Sequence, residues 1–253
     1  MEQIEYICLG SSSRGNAYIF KKGNECVLVE CGFEWKTLLR KLTDNGIMLS
    51  MIKSVIITHE HKDHSQSIDK FIHLSIPCFV PKYPSVEQLA SVYKNIHFLD
   101  NEKKEQLTDW LAVLPFPTDH DVLSFGFMFL DTENNQSILF INDTRYFDFS
   151  KYSSIKFNVI FIECNHLEYQ LKKITQSCLD NGKSALKYER QARTHLSLRT
   201  CKMMLNSINL KSTSAIFLMH LSPECSQPDI MKTEIENVYK IKTFVCNMNG
   251  GIN

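Results

Sequence analysis

Between residues 58 and 64 the chain reads Thr58-His59-Glu60-His61-Lys62-Asp63-His64, directly after the apolar run Val55-Ile56-Ile57. The run has the composition of a fully buried strand, and the polar stretch after it reads as a loop at the strand's carboxyl end. His59, His61, Asp63 and His64 crowd four ligand-type side chains into six positions, and three of the nine histidines of the chain fall here. Such density points to a metal ion rather than to an ordinary polar loop. Imidazole and carboxylate donors suit zinc, and also manganese or iron. The helical zincin pattern needs histidines four apart, and the residue four after His59 is Asp63, so that pattern is excluded.

One loop cannot close a tetrahedral site, so other ligands must arrive from other strand ends. Asp119-His120-Asp121 lies between two strand-like runs, Asp143 follows Ile138-Leu139-Phe140-Ile141, and His220 follows Ala215-Ile216-Phe217-Leu218-Met219. Each alone fits an ordinary turn aspartate or hydrogen-bonded loop histidine. In order after the cluster, they form a specific series.

The rest of the chain alternates between two periods. Residues 17–20 and 27–30 read as paired strands around a Gly23-Asn24 turn. Leu38, Leu39 and Leu42 share a helical face, stopped by Gly46. Strand-like runs return at 111–114, 125–130, 137–141, 159–162, 215–219 and 243–246. Leu167, Leu171, Ile174 and Cys178 form one helical face closed by Asn181-Gly182. Leu198, Cys201, Leu205 and Ile208 form another, capped by Ser197, and Ile230, Ile235 and Val238 suggest a last helix. Strands dominate both halves and each half adds helices, which predicts an α/β fold of two face-to-face sheets with helices outside. No linker-like or repetitive tract divides the 253 residues, so a single domain over 1–253 is expected.

Charge narrows the function classes. The 28 basic and 28 acidic residues cancel, which excludes a globally basic chain built to grip long nucleic acid. No apolar stretch approaches the ~20 residues that span a bilayer, and the acidic start carries no secretory pattern. Nine scattered cysteines with no Cys-x-x-Cys pair read as reduced hydrophobes, so a cytoplasmic location without membrane attachment is expected.

With these motifs in order, the sequence resembles the metallo-β-lactamase superfamily across nearly its whole length, above all the YycJ-like branch. That branch carries an early Ser-rich turn, matched by Gly10-Ser11-Ser12-Ser13-Arg14-Gly15-Asn16, and the His cluster at 58–64. It also carries segments matched by Glu163-Cys164-Asn165-His166, by His195-Leu196-Ser197 at a helix start and by His220-Leu221-Ser222 after a strand. The branch includes phage enzymes that hydrolyse cyclic mononucleotides and so defeat Pycsar immunity, and the chain is also similar to tRNase Z. The resemblance implies a four-layer αββα sandwich holding two zinc ions, with manganese as the alternative. It places His59, His61 and His120 on the first ion, Asp63, His64 and His220 on the second, and Asp143 between them. A binuclear centre of this kind activates water and neutralises phosphoryl charge.

A ribose leaving group still needs a proton. His195 is the candidate general acid, with Glu163 orienting it and Asp63 contributing to catalysis as well as to the second ion. His166 competes with His195 for that role and is otherwise a substrate contact. The basic segment 183–193 offers Arg190 or Arg193 to a phosphate, against the default of a solvated surface. The turn at 10–16, with Ser13, offers phosphate contacts of its own; it is neither a P-loop nor a nucleophile elbow. The leading expectation is a homodimeric phosphodiesterase that opens 3′,5′-cyclic nucleotides, serving phage counter-defence. A nuclease of YycJ or tRNase Z type acting on DNA or RNA is the alternative. A scaffold with a dead metal site is disfavoured by the full ligand series, and a lactamase or thioesterase reading leaves His195 unexplained. The neutral charge and the absence of a clamp-arm or β-CASP-like insertion tilt the balance toward the small substrate.

Overall fold

In the computed structural model, which describes residues 2–253, the apolar runs assemble into two mixed sheets. The first holds β1 (Glu5–Ser12), β2 (Gly15–Lys22), β3 (Glu25–Val29), β4 (Ile52–Ile56), β5 (Cys78–Val80) and β6 (Ile96–Phe98), in that spatial order. The second holds β7 (Glu105–Gln106), β8 (Leu111–Pro117), β9 (Phe125–Asp131), β10 (Gln136–Ile141), β11 (Val159–Glu163), β12 (Ala215–Met219) and β13 (Lys242–Val245), again in chain order. Each sheet starts with antiparallel hairpins and ends with parallel strands: β3 to β6 in the first and β10 to β13 in the second. Parallel strands need crossovers, which supply the outer helices.

The helices are α1 (Trp35–Asp44), α2 (Lys62–Ser65), α3 (Ile68–His73), α4 (Pro84–Ala90), α5 (Glu168–Asp180), α6 (Leu186–Thr194), α7 (Leu198–Ser207) and α8 (Pro228–Tyr239). Alternate strand residues face each other between the sheets, where Tyr18, Phe20 and Val29 meet Phe129, Phe140 and Phe161. The opposite faces take the helices: Leu28, Val55 and Ile57 pack with Leu38 and Phe71, while Leu139, Ile160 and Leu218 pack with Met204 and Ile235. This is the expected αββα arrangement. No helix among the described residues is long and apolar enough to cross a membrane. All nine cysteines are free, and eight of them are buried.

Several local expectations change. Residues 10–16 are not an extended turn: β1 runs to Ser12 and β2 starts at Gly15, leaving Ser13 and Arg14 as the tip. The His cluster is only partly loop, because Lys62–Ser65 closes into a helical turn that carries Asp63 and His64. The face expected for α5 is buried at Leu171 but not at Ile174 or Cys178, since this helix docks by its first turns and then runs out over solvent. In α8 the buried pair is Met231 and Ile235, one turn apart, whereas Ile230 and Val238 are exposed. The basic segment before His195 is helix α6 for most of its length.

Candidate metal centre and catalytic cleft

Every metal-ligand candidate lies beyond the carboxyl end of a strand in the parallel part of a sheet or in the loop from β8 to β9. There the chain must reverse sharply to aim a side chain back between the layers. Glu30, Asp143 and His220 do so with left-handed backbones, φ of 65°, 43° and 53°. Non-glycine residues adopt that region at a cost of order 1 kcal/mol, and such strain concentrates at functional sites.

Two ligand sets result. His59, His61, His120 and Asp143 form the first, and Asp63, His64, Asp143 and His220 the second; in each, the ligand atoms all lie within 4.8 Å of one another. In the first, His61 Nδ1 is 2.9 Å from His59 Nε2 and 3.2 Å from His120 Nε2. In the second, Asp63 Oδ2 is 3.5 Å from His64 Nε2 and 3.6 Å from His220 Nε2. Asp143 Oδ2 lies between them, 3.8 Å from His59 Nε2, 3.9 Å from His120 Nε2 and 3.3 Å from His64 Nε2.

Supporting carboxylates set the tautomers. Thr58 Oγ1 donates to the fully buried Glu30 at 2.5 Å, so it accepts from His59 Nδ1 at 2.9 Å and leaves Nε2 as a lone-pair donor. His64 Nδ1 lies 3.1 Å from the same Glu30 Oε1, close enough for charge attraction though outside hydrogen-bond geometry. His220 Nδ1 donates to Asp143 Oδ1, and its buried Nε2 has no partner among the described residues. Burial, with the neighbouring imidazolium of His64, holds His59 well below the usual histidine range, and burial pushes His120 down to about 4. Burial opposes ionisation of Asp143, yet His220 and His64 hold it well below the usual carboxylate range. Burial also opposes a charge on His64, but Asp143, Asp63 and Glu30 hold it well above the usual histidine range. The uncharged imidazoles of His59 and His120 and the ionised Asp143 carboxylate therefore converge beside a positive charge. The buried His220 Nε2 has no partner among the described residues, and a buried polar atom left unpaired is costly. With imidazole and carboxylate donors gathered around it, the set fits two divalent ions of the zinc or manganese type.

Glu163, Asp143, His195 and His220 form a third group. Here His195 Nδ1 is hydrogen-bonded directly to Glu163 Oε1 at 2.6 Å, while Thr144 N–H donates to Glu163 Oε2 at 3.2 Å. The direct bond leaves no gap for an ion, so this is a carboxylate–imidazole dyad. Burial disfavours a charged His195, but the Glu163 and Asp143 carboxylates outweigh it and raise the group to about 9.

His195 sits at a junction. On one side a cleft of about 190 Å³ is lined by Ser13, Arg14, Lys187, Arg190 and His220. On the other, a second cleft of about 260 Å³ carries Arg145, His166, Lys172 and Arg199. The structure thus brings Ser13 and Arg190 to the first cleft. His166 is buried on the far side of His195, where burial pushes it down to about 4. Arg193 lines neither cleft: its exposed side chain turns back onto the Glu189 carbonyl.

Other residues at the centre carry no ligand signal of their own. Glu30 stands at the end of an apolar run and is legible only as a strand residue, and Thr58 opens the His cluster without a ligand atom of its own. Asn165 accepts from Gln191 Nε2 at 2.6 Å and donates to the His220 carbonyl at 2.7 Å, pinning α6 to the end of β12. The His220 N–H donates to Ser11 Oγ at 2.8 Å, so the Ser-rich segment braces a ligand strand.

The family model described as the metallo-beta-lactamase superfamily matches residues 12–78, which include the whole His cluster. No curated protein matches the sequence. Among solved structures, the metallo-beta-lactamase fold protein YhfI from Bacillus subtilis is similar, at 16% identity, 99% coverage of this chain, 98% of its own and a TM-score of 0.75. The short form of human tRNase Z shares 15% identity over 86% of this chain and 92% of its own, with a TM-score of 0.63. Yeast PDE1 shares 13% identity over 100% of this chain and 99% of its own, with a TM-score of 0.64.

Proposed function

The chain has the metallo-β-lactamase fold, and from that premise we propose that it is a metal-dependent phosphodiesterase that hydrolyses 3′,5′-cyclic mononucleotides to linear monophosphates. The observation that carries this reading is the Glu163–His195 dyad, set beside two ligand sets at the edge of a small cleft bearing Arg14, Lys187 and Arg190. Seven side chains, His59, His61, Asp63, His64, His120, Asp143 and His220, would hold the metal pair. When bound, two divalent ions supply Lewis acidity toward a phosphoryl oxygen and a water nucleophile active at neutral pH.

The chain's own groups do the rest. Lys187 and Arg190 draw the diester anion into the cleft and orient it toward the ligand sets. Asp63, anchored on the second set through Oδ2, takes up a proton from the attacking water at its other oxygen. His195, with Nδ1 held by Glu163, presents Nε2 to the departing ribose oxygen and donates its proton there. Glu163 keeps the imidazole in that tautomer and stabilises its charged form. A cleft this narrow suits one nucleotide better than a strand. Phage counter-defence is the role this activity would serve.

One observation favours the alternative. The second cleft adds Arg145, Lys172 and Arg199 on the opposite side of His195, a path along which a DNA or RNA strand could leave the centre. The deciding experiment offers zinc- or manganese-loaded protein cyclic CMP, UMP, AMP and GMP beside single-stranded oligonucleotides. Turnover of cyclic nucleotides with a shallow salt dependence is expected, since one phosphate displaces few counterions. Strand degradation, steeply inhibited by salt and without cyclic-nucleotide turnover, would replace this reading with the nuclease.

A further inference from the structure

Asp121 follows the metal ligand His120 on the loop from β8 to β9, and its two carboxylate oxygens face different ways. Oδ1 lies 3.1 Å from His120 Nε2 and 3.5 Å from His61 Nε2, at the rim of the first ligand set. Oδ2 accepts from Arg190 Nη2 at 2.6 Å and from Arg190 Nε at 3.1 Å. Arg190 stands on α6, 69 residues along the chain, and lines the catalytic cleft. Nothing in the linear motif joins these two residues.

We propose that Asp121 is a positioning residue that couples the first ligand set to the substrate cleft by fixing the Arg190 guanidinium where a phosphodiester anion enters. The inference rests on the phosphodiesterase reading only for the class of anion that Arg190 receives.

As a stabilising contact the pair counts for little, because Arg190 is about half exposed and surface pairs contribute weakly. Its value is geometric. An arginine side chain at a cleft mouth samples many rotamers, and ordering it during substrate capture would subtract from binding. Asp121 supplies that order beforehand. Both bonds converge on one carboxylate oxygen through Nε and Nη2, which sets the plane of the guanidinium and leaves Nη1 without a hydrogen bond among the described residues. A planar fork held in this way can take a phosphoryl oxygen on its open edge. The other end of the arrangement is equally constrained. α6 is tied through Gln191 and Asn165 to the His220 carbonyl, so the helix that carries Arg190 and the strand end that carries His220 keep one spacing.

The test compares the zinc-loaded full chain with D121N, R190Q and the double variant, using bis-p-nitrophenyl phosphate as a generic diester. KM is expected to rise about tenfold in D121N, the scale of one charge-assisted hydrogen bond, with kcat falling less than about threefold. R190Q should match it, and the double variant should be no worse than R190Q alone, since Asp121 acts through Arg190. Elemental analysis should find wild-type metal content in all four proteins. Calorimetric titration with inorganic phosphate supplies a readout that needs no turnover, and D121N and R190Q should weaken it about equally. Loss of about one ion in D121N would make Asp121 a ligand instead, and overturn the proposal. So would multiplicative losses in the double variant, or an unchanged phosphate affinity in D121N. Failure to turn over any diester, with the phosphate coupling intact, would count against the phosphodiesterase reading and leave the role of Asp121 standing.

Discussion

Gly32 admits no side chain: a β-carbon there would lie 1.7 Å from the Asp63 carbonyl oxygen. The strand β3 exit and the His cluster are pressed together backbone to backbone, with Cys31 N–H donating to the His64 carbonyl at 2.8 Å. Gly32→Ala should therefore displace the turn that carries Asp63 and His64, costing roughly 1–3 kcal/mol in stability and weakening the second metal site. Urea unfolding and competition with a metal indicator measure the two effects separately. His195 makes a different kind of prediction. As donor to a poor leaving group, its replacement in His195→Ala should lower kcat by roughly 10²–10⁴-fold on a ribose diester. The loss should shrink sharply on bis-p-nitrophenyl phosphate, whose phenolate departs without a proton. Equal losses on both substrates, with metal retained, would assign His195 to binding or structure.

Helix α7 begins one residue after Ser197, whose Oγ accepts from Thr200 N–H at 3.1 Å and donates to Glu168 at 2.8 Å. One hydroxyl thus caps α7 and ties it to the first turn of α5, two residues downstream of His195. Ser197→Ala should cost about 1 kcal/mol, as N-cap losses do, visible as a lower denaturant midpoint with an unchanged slope. A larger effect belongs to the sheets. Lys22 at the end of β2 pairs with Asp131 at the end of β9, Nζ to Oδ1 at 2.9 Å, with side chains only 5% and 0% exposed. It ties one sheet to the other. Asp131→Ala would leave the Lys22 ammonium paired with Glu133 alone, and should destabilise by about 1–3 kcal/mol. A change below 1 kcal/mol would show that water reaches Lys22 freely.

At the scale of the molecule, the ligands come from four separate stretches, residues 59–64, 120, 143 and 220, and from both sheets. Metal binding should then act as a cross-brace of the fold. Close to two transition-metal ions per chain are expected by elemental analysis. At a thousandfold excess over Kd each of the two sites adds about 4 kcal/mol, and a chain of this size gains ~2–4 °C per kcal/mol, so removing both ions by chelation should lower Tm by upward of about 16 °C. His61→Ala should bind less metal and remain folded. A single ion with His120 and Asp143 dispensable would refute the binuclear assignment.

The sequence by itself determined the αββα class and gathered all seven metal-ligand candidates, because both rest on local signals. Apolar period marks β10, β11 and β12, and a polar residue within two positions of a buried strand's end is conspicuous in Asp143 and His220. His59, His61, Asp63 and His64 are conspicuous for their spacing alone. What only the tertiary structure decided was the set of polar residues that act on those ligands from a distance. Glu30 reads as one more strand position until the fold buries it against Thr58 and His64. Asn165 and Gln191 meet across 26 residues. Arg190 and Arg193 are indistinguishable as two cations on one helix; the Asp121 carboxylate, arriving from the opposite end of the chain's second sheet, gives a partner to the first and none to the second. The physical reason is common to all of these. A strand or a metal motif is written in the periods and spacings of neighbouring residues, whereas a buried hydrogen bond is satisfied by whichever group the packed layers bring within about 3 Å.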